Sequence, residues 1–234
     1  MKTRRVVTVT SAASLLLVGI AHATSLGGLA AGSLLAIDPA GTVTTPSTIG
    51  CDNFTGTTGA TMAGRTATVA GSCASRVWTV HVGTWTIQSN KAASSATASA
   101  VATQNTATVN STDTVVLTSL NTLGRSGGLV LSHDGASTYL AAVMIDGSPD
   151  RVELRLVVSG TATLLATVNP TFATTNTLQF ARSNSTVTVT LNGGSIINAT
   201  LTAAQITSLG AGARAGLFGG DSSVRFDDFL VTSP

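Results

Sequence analysis

The chain has 234 residues, of which 43% are hydrophobic and only 9% charged, so it is long and apolar enough to bury one β-sandwich core. That balance excludes a disordered chain, which combines low hydrophobicity with high net charge. Lys2, Arg4 and Arg5 supply three of the twelve basic residues, and the nine that remain face ten acidic ones, so the body of the chain lacks the basic surface that nucleic-acid binding needs.

Residues 1–23 read as a secretory signal: a basic start, an apolar run through Ile20 and the small-x-small tripeptide Ala21-His22-Ala23. The run Val6–Ile20 falls short of the roughly 20 apolar residues of a spanning helix, although an uncleaved anchor is the alternative. No other segment is long and apolar enough, so the mature chain is expected to be extracellular or at the cell surface, with no membrane span. Cys51 and Cys73, an even pair in an exported chain, are expected to form a disulfide. Closing that loop contributes about 3 kcal/mol. With no adjacent histidine the pair does not suggest zinc. Residues 24–50 are a Gly/Ala/Ser/Thr-rich lead-in or linker, and residues 51–234 are the domain.

Past Cys51 the pattern is one of short strands. Trp78–Val82 alternates apolar and polar, Gly83 breaks it, and Trp85-Thr86-Ile87 follows. Thr114–Leu120, Gly128–Ser132 and Tyr139–Ile145 are apolar runs bounded by Asp, Asn and Gly. Arg151–Leu156 alternates most cleanly, with Val152, Leu154 and Leu156 opposite Arg151, Glu153 and Arg155. Thr161–Val168, Thr177–Arg182 and Thr186–Leu191 come next, and Asn192-Gly193-Gly194 then turns the chain into Ile196–Leu201, a strong hairpin signal. Thr202–Leu209 is the one helical stretch, with Thr202 as N-cap. Ala215–Phe218 and Val224–Val231 close the chain. In the last run Phe226 and Phe229 are three apart and cannot share a face of a regular strand, so a bulge at Asp227-Asp228 is expected. About a dozen short strands with regular turns mean an all-β sandwich or barrel.

Several fragments, in order, resemble the concanavalin A-like lectin/glucanase superfamily in its laminin-G-like branch. They are Cys51-Asp52-Asn53-Phe54, Val82–Ile87, Gly127–Leu131, Tyr139–Ala142, Val187–Gly193, Gly216-Leu217-Phe218 and Phe226-Asp227-Asp228-Phe229. The resemblance covers residues 51–234. It implies a two-sheet antiparallel jelly-roll sandwich with at most one short helix, and the Asp-Asn-Phe strand near the terminal Phe-Asp-Asp-Phe strand. That fold hosts lectins, adhesion modules, glucanases and lyases alike, so it does not supply the function.

Glycoside hydrolysis needs a carboxylate pair, which the superfamily's glucanases carry as two Glu on one strand. Glu153 is the only glutamate here, and it reads as a solvated residue with cross-strand charge partners. His81 lies on the outward face of its strand, His133 opens the turn His133-Asp134-Gly135, and no Gly-x-Ser-x-Gly elbow accompanies either. No catalytic residue is assigned. Relatives in the superfamily often hold calcium, and Asp227 and Asp228, with Asp52 nearby, offer the hard oxygen ligands calcium takes. The other reading of these residues is carboxylates that hydrogen-bond backbone amides at a sheet edge. Trp78 and Trp85 fall on the inward phase and belong to the core. Tyr139, at the head of its strand, is the best exposed aromatic platform for a sugar, with His133 and Asp134 in the neighbouring loop. The expected function is a non-catalytic extracellular module that binds carbohydrate or a surface partner. A structural or adhesive subunit of a surface assembly and a divergent carbohydrate-active enzyme are the alternatives. Edge strands free of Lys leave self-association open.

Overall fold

The computed structural model describes residues 36–37, 43–44, 46–68, 76–95, 99–118 and 124–233. Residues 1–23, read as a secretory signal from the sequence, and Cys73 lie outside the described residues. The chain divides into Met1–Thr45 and Pro46–Pro234. In the first unit, β1 (Ala36–Ile37) and β2 (Val43–Thr44) form an antiparallel pair.

The second unit is two antiparallel sheets. One has seven strands in the order β12 (Thr161–Val168), β11 (Arg151–Val158), β10 (Tyr139–Ile145), β9 (Ser126–His133), β16 (Arg214–Gly219), β7 (Ala100–Asn105) and β4 (Trp78–Val82). The other runs β15 (Gly194–Thr200), β14 (Thr186–Leu191), β13 (Thr175–Ser183), β8 (Ser111–Thr118), β17 (Arg225–Thr232), β6 (Ala92–Ser94) and β5 (Trp85–Ile87). The strand β3 (Thr48–Asp52) also pairs with β17, Asp52 opposite Phe229, so the sheet takes in the last residues of the lead-in. With α1 (Ala203–Leu209) as the helix among this unit's described residues, the architecture is the all-β jelly-roll sandwich expected from the sequence.

The alternating strands explain the layering. In β11, β13 and β14, Val152, Leu154, Leu178, Phe180, Val187 and Val189 point into the gap between the sheets, and all are fully buried. Trp78 and Trp85 join them, each packed against a phenylalanine of β17. Burying each such side chain stabilises by about 1.5–3 kcal/mol. The phase slip in β17 is a bulge: the register shifts between Asp227 and Leu230, Asp228 takes φ 48°, and Phe226 and Phe229 both reach the core. The β14–β15 hairpin turns on Asn192 (φ 50°) and Gly193 (φ 84°), the left-handed pair that a two-residue turn of the right twist requires. Thr202 caps α1: its hydroxyl accepts from the Gln205 amide at 3.2 Å, and Gln205 Oε1 accepts from the Thr202 amide at 2.8 Å.

Within the sandwich, β6 and β7 were not expected. β7 reads Ala-Val-Ala-Thr-Gln-Asn and is buried along both faces except at its last residue. It shows no alternation because it lies inside the sheet, with small side chains on each side.

Candidate functional site

The outward face of the seven-stranded sheet carries its own apolar cluster. Val101, Val130, Tyr139, Ala141, Val143, Val157 and Phe218 pack together there, and none is more than 8% exposed. The face curls inward. His81 on β4 and His133 on β9 are separated by β7 and β16, three inter-strand spacings, or about 14 Å on a flat sheet. Their rings nevertheless stack with centroids 4.1 Å apart and planes at 29°. The Tyr139 ring continues the stack on the far side of His133, at 5.2 Å and 12°.

This curvature makes a hollow of about 190 Å³ lined by Tyr139, Ala141, Val157 and Phe218, with His133 and Arg155 among its polar residues. Ser99 and Ser137 stand exposed beside it, and Val82, 49% exposed, forms part of the wall. A second hollow, about 450 Å³, adjoins it where Asn105, Asp134 and Arg214 meet the loop after α1, and His133 lines both.

The charged groups Asp134 and Arg214 line the second hollow, while the ionisable groups of the first are His133, Tyr139 and Arg155. Burial, then the neighbouring His81 ring and Arg214, push the His133 imidazole down to about 4, so it is neutral at pH 7. Burial and then Arg214 also lower His81. The Gly135 amide donates to His133 Nδ1 at 2.8 Å, which places the ring proton on Nε2. Burial raises Tyr139 above its ordinary value. Arg155 and Arg151 each hold one oxygen of Glu153 through their Nε atoms at 2.7 Å. Burial alone would raise the Glu153 carboxyl, but those two arginine contacts hold it below its usual value. The arginine partners lie two residues away on the same strand. Across the ladder Glu153 faces Val143 and Thr167, so the expected cross-strand charge partners are replaced by alternate positions on one face.

The sequence-predicted ligand residues fall together at this face. Tyr139 stacks on His133 and both line the first hollow, while His133 and Asp134 line the second. Tyr139 is not an exposed platform, however; it is 8% exposed, because the ring lies in the curl of the sheet. Asp134 Oδ1 accepts from the amides of Ala136 at 2.7 Å and Thr138 at 3.1 Å, which builds the turn. Burial would raise this carboxyl, and those amides, with the Thr138 hydroxyl and His133, hold it low. Phe218, Val157 and Arg155 had not been singled out. Phe218 was legible, since Leu217 and Phe218 are adjacent in a strand and must face opposite sides.

Two of the three carboxylates considered for calcium accept hydrogen bonds from other groups of the chain. Asp52 is fully buried and accepts from Trp78 Nε1, the Phe54 amide and Thr68 Oγ1, each at 2.8 Å, and from Arg65 Nε at 3.1 Å. Asp227 pairs with Lys91 and also accepts from the Asp228 amide, while Asp228 is exposed on the bulge. No group of three or more His, Cys, Asp or Glu residues that could hold a metal ion occurs among the described residues. Cys51 is buried on β3, and no free cysteine occurs among the described residues.

No protein-family profile matches the chain, and no curated sequence does. Solved structures do. The carbohydrate binding module CBM66 from Bacillus subtilis is similar at 17% identity and a TM-score of 0.56, over 67% of this chain and 95% of that one. The VIP36 exoplasmic/lumenal domain, in a Ca2+/Man3GlcNAc-bound form, aligns at 14% identity and TM-score 0.47, over 67% and 83%. A mutant of the GH43 protein BlXynB from Bacillus licheniformis aligns at 14% identity and TM-score 0.43, over 68% of this chain but 33% of that protein. With two antiparallel sheets stacked on one core, the chain has the concanavalin A-like jelly-roll fold.

Proposed function

We propose that the chain is an exported, non-catalytic carbohydrate-binding module, clipped by a Cys51–Cys73 disulfide, whose hollow on the seven-stranded sheet takes an uncharged sugar. The observation that carries this reading is the hollow itself. An aromatic and aliphatic floor of Tyr139, Val157 and Phe218 suits the apolar face of a pyranose or furanose ring, and neutral polar groups around it suit hydroxyls. A neutral His133 and an Arg155 already engaged by Glu153 leave no strong free charge in the floor, which favours a neutral ligand over an acidic one. The fold neighbour from Bacillus subtilis is a carbohydrate binding module, which accords with this reading. Because two arginines hold both oxygens of the chain's only glutamate, Glu153 is poorly placed to act as a catalytic acid or nucleophile.

A glycan array of neutral and acidic sugars tests the reading, and selective binding of neutral glycans is expected. Phe218→Ala should weaken the strongest of these at least 10-fold, about 1.4 kcal/mol. Ser137→Trp, at an exposed position beside the hollow, should do the same by filling it while leaving the circular dichroism spectrum unchanged. Full binding by Ser137→Trp would remove the sugar from this face. Thiol titration of the native exported protein should find no reactive cysteine, whereas two free thiols would contradict the bridge.

A further inference from the structure

We propose that the stacked imidazoles of His81 and His133 form a divider across the curled face, which confines a sugar to the Phe218 side and keeps a longer chain from running on into the second hollow. This rests on the carbohydrate reading of the first hollow.

The floor of the face gives the order. Along β7 the outward residues are Val101, Thr103 and Asn105; along β16 they are Phe218, Gly216 and Arg214. Val101 and Phe218 belong to the apolar cluster of the first hollow, while Asn105 and Arg214 line the second. The middle rung is Thr103 opposite Gly216. His81 Nε2 and Thr103 Oγ1 are hydrogen-bonded at 2.8 Å on that rung, and Gly216 leaves its side of the rung free of a side chain. From there the His81 ring meets His133, which lines both hollows, and Tyr139 backs His133 from behind. The stack therefore spans the floor between the two hollows.

Each ring is aimed by a bulge, a device that re-directs a side chain at the cost of ladder regularity. On β4, Val80 pairs with Ala102 and Val82 with Val101, so His81 is the extra residue. On β9 the register against β16 shifts between Arg214 and Gly216, and Ser132 takes a left-handed φ of 53°. Ser132 is fastened there: its hydroxyl accepts from Arg182 Nη1 of the opposite sheet at 2.7 Å and donates to the Val109 carbonyl at 3.3 Å. Two independent irregularities on strands three places apart converge on one ring contact.

His81→Ala tests the divider in two ways, with His81→Phe as the control that keeps a ring in place. The first readout needs no sugar. In an NMR titration, opening the divider should solvate His133 and remove its imidazole neighbour, so its midpoint should rise by at least one pH unit from about 4 in His81→Ala. The second uses linear neutral oligosaccharides of increasing length, in the linkage the array selects. Wild type and His81→Phe should gain no affinity once the first hollow is filled, whereas His81→Ala should gain 10-fold or more with longer chains. A His133 midpoint unchanged in His81→Ala overturns the divider, as does a length profile identical to wild type. If no sugar binds any form, the carbohydrate reading fails and the titration of His133 alone decides whether the rings seal the face.

Discussion

Asp113→Asn will match the wild type in stability near pH 3.5 and become progressively more stable than it as the pH rises. Asp113 is fully buried on β8, between the sheets, where its Oδ2 has no hydrogen-bond partner among the described residues. Its carboxyl meets only the Ser111 hydroxyl, at 3.4 Å, and the Gly216 backbone of the opposite sheet. Burial raises it well above the ordinary value of 3.8, outweighing those two contacts. The folded chain thus keeps a proton that the unfolded chain releases near pH 3.8. The stability contributed by the neutral form is complete below that pH and is lost as the pH rises toward the folded value, by about 1.4 kcal/mol per pH unit within the window. Asparagine keeps the shape and cannot ionise. Urea unfolding at pH 3.5, 5 and 7 should show the gap between the two proteins widening; a gap independent of pH would contradict the buried, protonated carboxyl.

Asp52→Ala has the opposite sign and a cost of about 3–5 kcal/mol. The Asp52 carboxylate is the shared acceptor of the Trp78 indole, the Phe54 amide, the Thr68 hydroxyl and the Arg65 guanidinium. Arg65 is only 12% exposed, so removal of its partner leaves a largely buried charge uncompensated. The indole N–H is orphaned in the core as well. The residue also ties β3 to the Trp78 strand beneath the Phe229 ring, so the end of the chain loosens with it. Scanning calorimetry should show a melting temperature lower by roughly 6–20 °C. Asp52→Asn, which keeps an acceptor but loses the charge, should fall between. A loss under about 1 kcal/mol for Asp52→Ala would mean that the cluster relaxes freely.

Sequence pattern reveals this fold best where one face is buried and the other wet. β11, β13 and β14 alternate cleanly, and their inward residues follow directly. The three-residue spacing of Phe226 and Phe229 was itself the sign of a bulge, because only an extra residue lets both reach the core. β7 escaped notice because a strand of small residues buried on both faces has no period to read. The hollow left a signal of the same kind. Leu129-Val130-Leu131, Leu140 through Met144 and Leu217-Phe218 are continuous apolar runs, and in a strand such runs bury both faces. One set fills the core and the other the curled outer face. The meeting of His81 and His133 was not legible, because it depends on two bulges and on the curvature of the sheet, neither of which leaves a local pattern. Of the carboxylates considered for calcium, Asp52 lies beside the β17 strand as expected, and the indole, amide, hydroxyl and guanidinium that donate to it come together only in the fold, which no local pattern shows.

The most direct test of sugar binding at the curled face is an amide NMR titration of the chain with the neutral glycan that gives the strongest array signal. The account predicts that the largest shifts cluster at Tyr139, Arg155, Gly160 and Phe218, around the first hollow. Shifts concentrated instead on the outward residues of the eight-stranded sheet, such as Gln179, Thr188 and Thr190, with the hollow unmoved, would contradict it.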